Sequence, residues 1–317
     1  MDRCPIEVWN QIFTLACTDN GFTGRSLSLA SRYIHDTSKP AKLQSLSATK
    51  PQQIHGLARL IANTPPEYRR VRHLFITSPK DDGDVLAAFL HIIRALAPTI
   101  TTLHVNFPFY RRSLFLPGTA TFPSLVELTL YGPYTDQDNP LTTTSEEDTI
   151  TPPSLSDYRP PLPSLRRLHL ADLDYDPTEC FRRITCVAPS LTHLRIPYQI
   201  YMANSLLAGL RARAVSHPTS SSNSYGVTGM LPSTIEMVLI DSATPPTYFG
   251  GCGTHRRRHN WDLQNLREVM KEDKRVYILA EQPSGVEEAE QYWLDRIEGG
   301  EGSWMVPKDA SHDILVS

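Results

Sequence analysis

Pro163-Ser164-Leu165-Arg166-Arg167-Leu168-His169-Leu170 sets a proline and a small hydroxyl residue ahead of three leucines in an L-x-x-L-x-L core. The phrase recurs as Pro98-Thr99-Ile100-Thr101-Thr102-Leu103-His104-Val105, as Pro123-Ser124-Leu125-Val126-Glu127-Leu128-Thr129-Leu130 and as Pro189-Ser190-Leu191-Thr192-His193-Leu194-Arg195-Ile196. A fifth copy, Pro232-Ser233-Thr234-Ile235 through Ile240, carries one extra residue. Val71-Arg72-His73-Leu74-Phe75-Ile76 reads as an earlier copy without its proline, and Val276 to Leu279 as a late degenerate one. Apolar residues at alternate positions mark a strand, because successive side chains point to opposite faces.

The prolines at 98, 123, 163, 189 and 232 are 25, 40, 26 and 43 residues apart. Two of these intervals match the roughly 20 to 29 residues of a leucine-rich repeat. The longer ones hold insertions: 133–161 is rich in Pro, Thr, Ser, Asp and Glu, and 216–229 contains a Ser-Ser-Ser-Asn-Ser run. Neither has enough large apolar residues to offset the entropy of ordering, so both are expected to be flexible loops. Helices are expected between the phrases, over Asp84 to Ala97 with Asp84 as N-cap, Pro177 to Ala188 and Tyr201 to Ala214. Trp261 to Lys271 and Val286 to Ile297 read as two more helices capping the array. The expected fold is α/β: an irregular leucine-rich-repeat solenoid with parallel strands over residues 51–300, and a tail over 301–317.

Residues 1–50 have a different character. After Pro5, Ile6, Trp9, Phe13 and Ala16 recur at helical spacing beside a second stripe of Val8, Ile12 and Leu15. One face of such a helix can join its own core while the other meets a partner; a fully buried helix has the same pattern. Leu27, Leu29, Ala30, Tyr33 and Ile34 suggest a second helix that Pro40 closes, and a third begins near Pro51 and ends before Thr64-Pro65-Pro66.

Hydrophobic residues make up 40% of the chain, charged residues 21%, and the net charge is -3. That balance gives no general attraction to nucleic acid or anionic lipid. Five scattered cysteines, an odd number, read as reduced thiols of a cytoplasmic or nuclear protein. The N-terminus does not read as a secretory signal. The longest apolar stretch, Val85 to Ala97, is interrupted by His91 and Arg94 and is too short for a membrane span.

Cys4-Pro5-Ile6-Glu7-Val8-Trp9-Asn10-Gln11-Ile12-Phe13 resembles the opening of the F-box motif, and Ser26-Leu27-Ser28-Leu29-Ala30-Ser31-Arg32-Tyr33-Ile34 resembles its second half. Cys4 stands where the motif has leucine, and Tyr33 where tryptophan is commoner. The match spans about the first 45 residues and is similar to F-box-like proteins of fungi that carry irregular leucine-rich repeats. The resemblance implies that this module binds a Skp-type adaptor, couples the chain to a cullin-RING ubiquitin ligase, and leaves the solenoid to hold a protein substrate. Carried over as apolar contacts, divided between the adaptor and the module's own core, are Pro5, Ile6, Val8, Ile12, Phe13, Leu27, Leu29 and Tyr33. The alternative is a free-standing leucine-rich-repeat interaction scaffold with no ubiquitin role, whose first helices only cap the array.

The x positions of the strands share one face. They place Arg167 and His169 beside His193 and Arg195, a local basic ladder, with Thr102, His104, Glu127, Thr129 and Tyr131 on earlier strands. Such a face can bind an acidic or phosphorylated segment through charge-assisted hydrogen bonds, or be a solvated surface with no ligand. Cys252, His255 and His259 have zinc-compatible spacing but no fourth ligand, and the run 250–259 reads as a basic surface loop. No phosphate-binding loop, dinucleotide fingerprint or hydrolase motif occurs, so neither catalytic residues nor cofactor are expected.

Overall fold

The structure, a computed structural model, describes residues 5–79, 82–107, 120–131, 160–171, 177–198, 202–211, 231–242, 254–279 and 285–306. The insertion expected at 216–229, that at 133–161 except its last two residues, Cys252, and the tail beyond Val306 lie outside them. The chain is α/β and divides into two compact units. The first holds α1 (Ile6–Ala16), α2 (Phe22–Ala30), α3 (Arg32–Ser38), β1 (Ser45–Ala48), α4 (Pro51–Asn63), β2 (His73–Thr77), α5 (Gly83–Leu96), β3 (Thr102–Asn106) and β4 (Glu127–Tyr131). It is joined by α9 (Val286–Ile297) from far along the chain. The second holds β5 (Arg167–Leu170), α6 (Pro177–Val187), β6 (His193–Pro197), α7 (Met202–Arg211), β7 (Met237–Asp241), α8 (Thr254–Glu272) and β8 (Val276–Leu279).

Within each unit the strands stand in sequence order and every pair is parallel. The copies of the phrase align leucine on leucine: Leu74 pairs with Leu103 and Leu103 with Leu128, and Leu168 pairs with Leu194 and Leu194 with Val238. These residues are buried. In the first unit α5 packs on the leucine face, its Phe89 ring 4.9 Å from that of Phe107.

The hydroxyl residues of the phrase have a structural job. Thr99 Oγ1 lies 3.0 Å from the Val71 carbonyl and 3.3 Å from that of Arg69, so it reaches back to the previous copy. Ser124 Oγ donates to the Pro98 carbonyl at 3.0 Å. In the fifth copy Thr234 takes this place, donating to Leu191 O at 2.6 Å, which shows where the extra residue is absorbed. Each strand entry is tied in a second way: the Arg72 carbonyl accepts from Thr101 N at 2.7 Å and Thr102 N at 3.0 Å. The Arg166 carbonyl does the same for Thr192 N and His193 N.

Several expectations are corrected. The second helix is two helices, because Ser31 is extended and its Oγ accepts from Ile34 N, capping α3. The cap of α5 is Asp82, not Asp84: its carboxylate accepts from Asp84 N at 3.0 Å. β1 was not anticipated, since Ser-Leu-Ser-Ala fills its apolar positions only in part. It starts at Ser45, inside the span assigned to the N-terminal module, and Ser47 N donates to Asn20 O. α8 begins at Thr254, so the part of the basic run from Thr254 onward is helical rather than loop. The largest correction concerns α9, which does not cap the array but lies on the face of β2 that carries Phe75.

Thr99→Val keeps the shape of the side chain and removes the donor that bridges two copies. We expect a loss of about 1 kcal/mol, read as a lower urea midpoint with unchanged slope.

Candidate functional site

Two surfaces collect the residues singled out from the sequence. On α1 the first stripe is packed: Phe13 is 3% exposed and clusters with Ile34 and Ala41, with Trp9 and Leu27 against them. The Trp9 and Phe13 rings stack at 5.3 Å. The second stripe is bare, with Val8 exposed, Ile12 45% exposed and Leu15 77%. Val8, Ile12 and Leu15 are four and three residues apart, so they form one ridge of the helix. Pro5, Ile6, Leu29 and Tyr33 are also exposed. Thus six of the eight carried-over residues face outward, while Phe13 and Leu27 serve the local core. Phe22, as open to solvent as Leu15, was not singled out.

This cluster is held in place by short-range polar contacts. Asp19 accepts from Gly21 N at 2.9 Å and Thr23 N at 2.8 Å, satisfying orphan donors at the start of α2. Gly24 is required by close approach, since a Cβ there would overlap the Lys42 carbonyl. Gln44 Nε2 donates to Thr14 O at 3.0 Å, and the Gln44 carbonyl accepts from Arg72 N and His73 N, so one residue ties α1 to the first strand pair.

The second surface is the polar face of the strands, and it is not a solvated one. Its middle positions, Phe75, His104, Thr129, His169, Arg195 and Leu239, are all buried. In the first unit α9 covers it. Trp293 packs on Phe75 with ring centroids 5.6 Å apart, and Phe75 in turn stacks on His104 at 4.3 Å. His104 meets Tyr131 at 5.2 Å. Glu127 has both carboxylate oxygens engaged: Arg296 Nε donates to Oε2 at 2.7 Å and Trp304 Nε1 to Oε1 at 2.9 Å. The residue expected to contact a substrate is therefore held by the chain's own C-terminal segment. Trp293, Arg296 and Trp304 were missed, because a sequence pattern shows that a helix is amphipathic and not what it lies on.

In the second unit the expected register holds, with Arg167 opposite His193 and His169 opposite Arg195. Arg195 is only 2% exposed, and Asp241, two positions beyond its neighbour Leu239 on the same face, neutralises it. Arg195 Nε lies 2.9 Å from Oδ2 and Nη2 2.7 Å from Oδ1, a two-pronged charge-assisted pair. His169 Nε2 is 3.5 Å from the same carboxylate. Burial pushes the Asp241 carboxyl up, but hydrogen bonds from His169 and Arg195 and the guanidinium charge outweigh it and hold it below the usual range. Burial lowers His169 to about 4 against the Asp241 hydrogen bond, with the Arg195 charge adding to the shift. His73, beneath α9, is also lowered to about 4, by burial and then by Arg72 and Arg296. Asp241 falls one residue past the apolar core of its copy, which is why the ladder reads as basic from sequence.

Arg195→Met would leave Asp241 without its main partner in a largely dry setting. The expected cost is about 3 to 5 kcal/mol, measured by chemical unfolding. Both histidines are neutral when folded and titrate near their ordinary value when unfolded, so between about pH 6.5 and 4 the unfolded chain binds more protons. Stability is therefore complete above pH 6.5 and falls as pH drops through this window, by about 3 kcal/mol per histidine. Urea midpoints at pH 7 and pH 5 test this; equal midpoints contradict it.

Among the described residues no group of three metal-ligating side chains converges, and no helix is long and apolar enough to cross a membrane. The chain matches no family model, no curated protein and no solved structure, so the reading of these surfaces rests on their own chemistry.

Proposed function

We propose that the chain is a substrate-receptor adaptor of a cullin-RING ubiquitin ligase: an F-box-like module, α1 to α3, docks a Skp-type adaptor, and a leucine-rich-repeat array of parallel strands presents a protein substrate. One observation carries the reading. α1 spends Trp9 and Phe13 on its own core and leaves Val8, Ile12 and Leu15 in solvent, with Leu29 and Tyr33 exposed on the helices that follow. Exposed apolar side chains on short helices are the anchor chemistry of helix-helix recognition. Val8, Ile12, Leu29 and Tyr33 are among the contacts that the F-box resemblance implies for the adaptor.

The repeated strands support the second half of the proposal. A stack stitched copy to copy repeats half-buried positions at its strand entries, Thr102, Arg167 and His193, without any one of them being essential to the fold. The buried free thiol of Cys17 fits a reducing compartment, cytoplasm or nucleus. The second reading, a scaffold that recruits no ligase, is favoured by the first unit's polar face being already occupied by α9.

Co-expression with a Skp-type adaptor separates the two. The wild-type chain should co-purify as a stoichiometric complex. Ile12→Asp should abolish it, because the new carboxylate would have to be buried in an apolar contact. Ile12 is exposed in the free chain, so the variant should keep the wild-type urea midpoint. A chain that never forms the complex supports the scaffold.

A further inference from the structure

The geometry points to a specific ligand class for the first unit's polar face: an amphipathic helix carrying tryptophan and, three residues later, arginine, for which α9 is the resident occupant. This deepens the receptor reading of the preceding section and rests on it for the identity of the ligand as part of a substrate protein.

α9 behaves as a guest on a finished surface. β2, β3 and β4 complete their backbone pairing with one another, and their leucine face is packed independently of α9. What α9 adds is a lock of three side chains. Trp293 lies on Phe75, Arg296 pairs with one oxygen of Glu127, and Trp304, brought back by the turn after the helix, takes the other. Trp293 and Arg296 are three apart and so share a helix face. Glu127 supplies charge recognition and Phe75 an aromatic platform, a pairing suited to reading two side chains at once.

The fit is selective but incomplete. Of the helix only Ala289 and Trp293 are fully buried. Trp293 Nε1 and His73 Nδ1 are buried without a hydrogen-bond partner. Buried polar atoms left unpaired oppose docking, so the contact is held by a few strong points with little surplus. An intramolecular ligand of modest intrinsic affinity occupies its site because tethering makes its binding unimolecular. A partner protein offering the same Trp-x-x-Arg helix, itself brought close by another contact, competes on equal terms.

The test uses the full chain and a labelled peptide of residues 285–306. Hydrogen exchange on the wild-type chain should show amides of α9 opening at least a hundredfold more readily than those of β2 to β4, and excess peptide should increase that opening. In fluorescence anisotropy the peptide should bind a full-length Trp293→Ala/Arg296→Ala chain at least tenfold more tightly than the wild-type chain, whose site is filled. Adding Glu127→Gln to that chain, or making Arg296→Ala in the peptide, should each weaken binding tenfold or more. Equal exchange in α9 and the strands overturns the proposal without any variant, and so does a folded double variant that ignores the peptide. Adaptor co-purification is scored separately through Ile12, so loss of that complex with peptide binding intact defeats the receptor reading alone, and the reverse outcome defeats only this one.

Discussion

Everything in the strand array depends on one repeated backbone contact, a single carbonyl that accepts two successive N–H groups from the next copy. Gln44, Arg72 and Thr101 supply it in the first unit, and Arg166 and Thr192 in the second. Two adjacent N–H groups converging on one carbonyl leave the following copy only one register. With the register set, the leucines must fall in line and so must the residues between them. The hydroxyl residues add a side-chain bond of the same kind from Thr101 and Thr192. A parallel strand slipped by two residues would lose these ties at once, which is why copies of unequal length still align.

That constraint makes the opposite face a fixed lattice, and the two units fill it with different chemistry. The first holds a carboxylate, Glu127, answered by a cation and an indole from a distant helix. The second holds a cation, Arg195, answered by Asp241 from the neighbouring strand. In each case a charge removed from water makes two charge-assisted hydrogen bonds, Glu127 through its two oxygens and Arg195 through the Nε and Nη2 edge that grips Asp241, the condition for tolerating it. The middle positions of this face are buried in both units, where alternation alone implies an uncovered polar row.

The strands and most helices were legible from sequence because they rest on local spacing: the leucine pairs gave the register, and α4 and α9 fall where their apolar periodicity places them. The exposed and packed stripes of α1 were legible for the same reason. What lies over the polar face was not, since it involves residues such as Glu127 and Arg296, 169 positions apart. A signal was nevertheless present. Leu74-Phe75-Ile76 and Val238-Leu239-Ile240 are unbroken apolar runs where β3, β4, β5 and β6 alternate, and such runs mark strands buried on both faces. Asp241 was lost for a smaller reason, one residue beyond the repeated phrase.

The long reach of α9 also sets an order of assembly during synthesis. Chains emerge N-terminus first at about 5 to 20 residues per second, so roughly 10 to 30 s pass between Glu127 leaving the ribosome and Arg296 arriving to meet it. Throughout that interval Phe75 and the Glu127 carboxylate lack the cover that α9 gives them. The nascent first unit thus keeps an aromatic platform and a carboxylate open until α9 has been made.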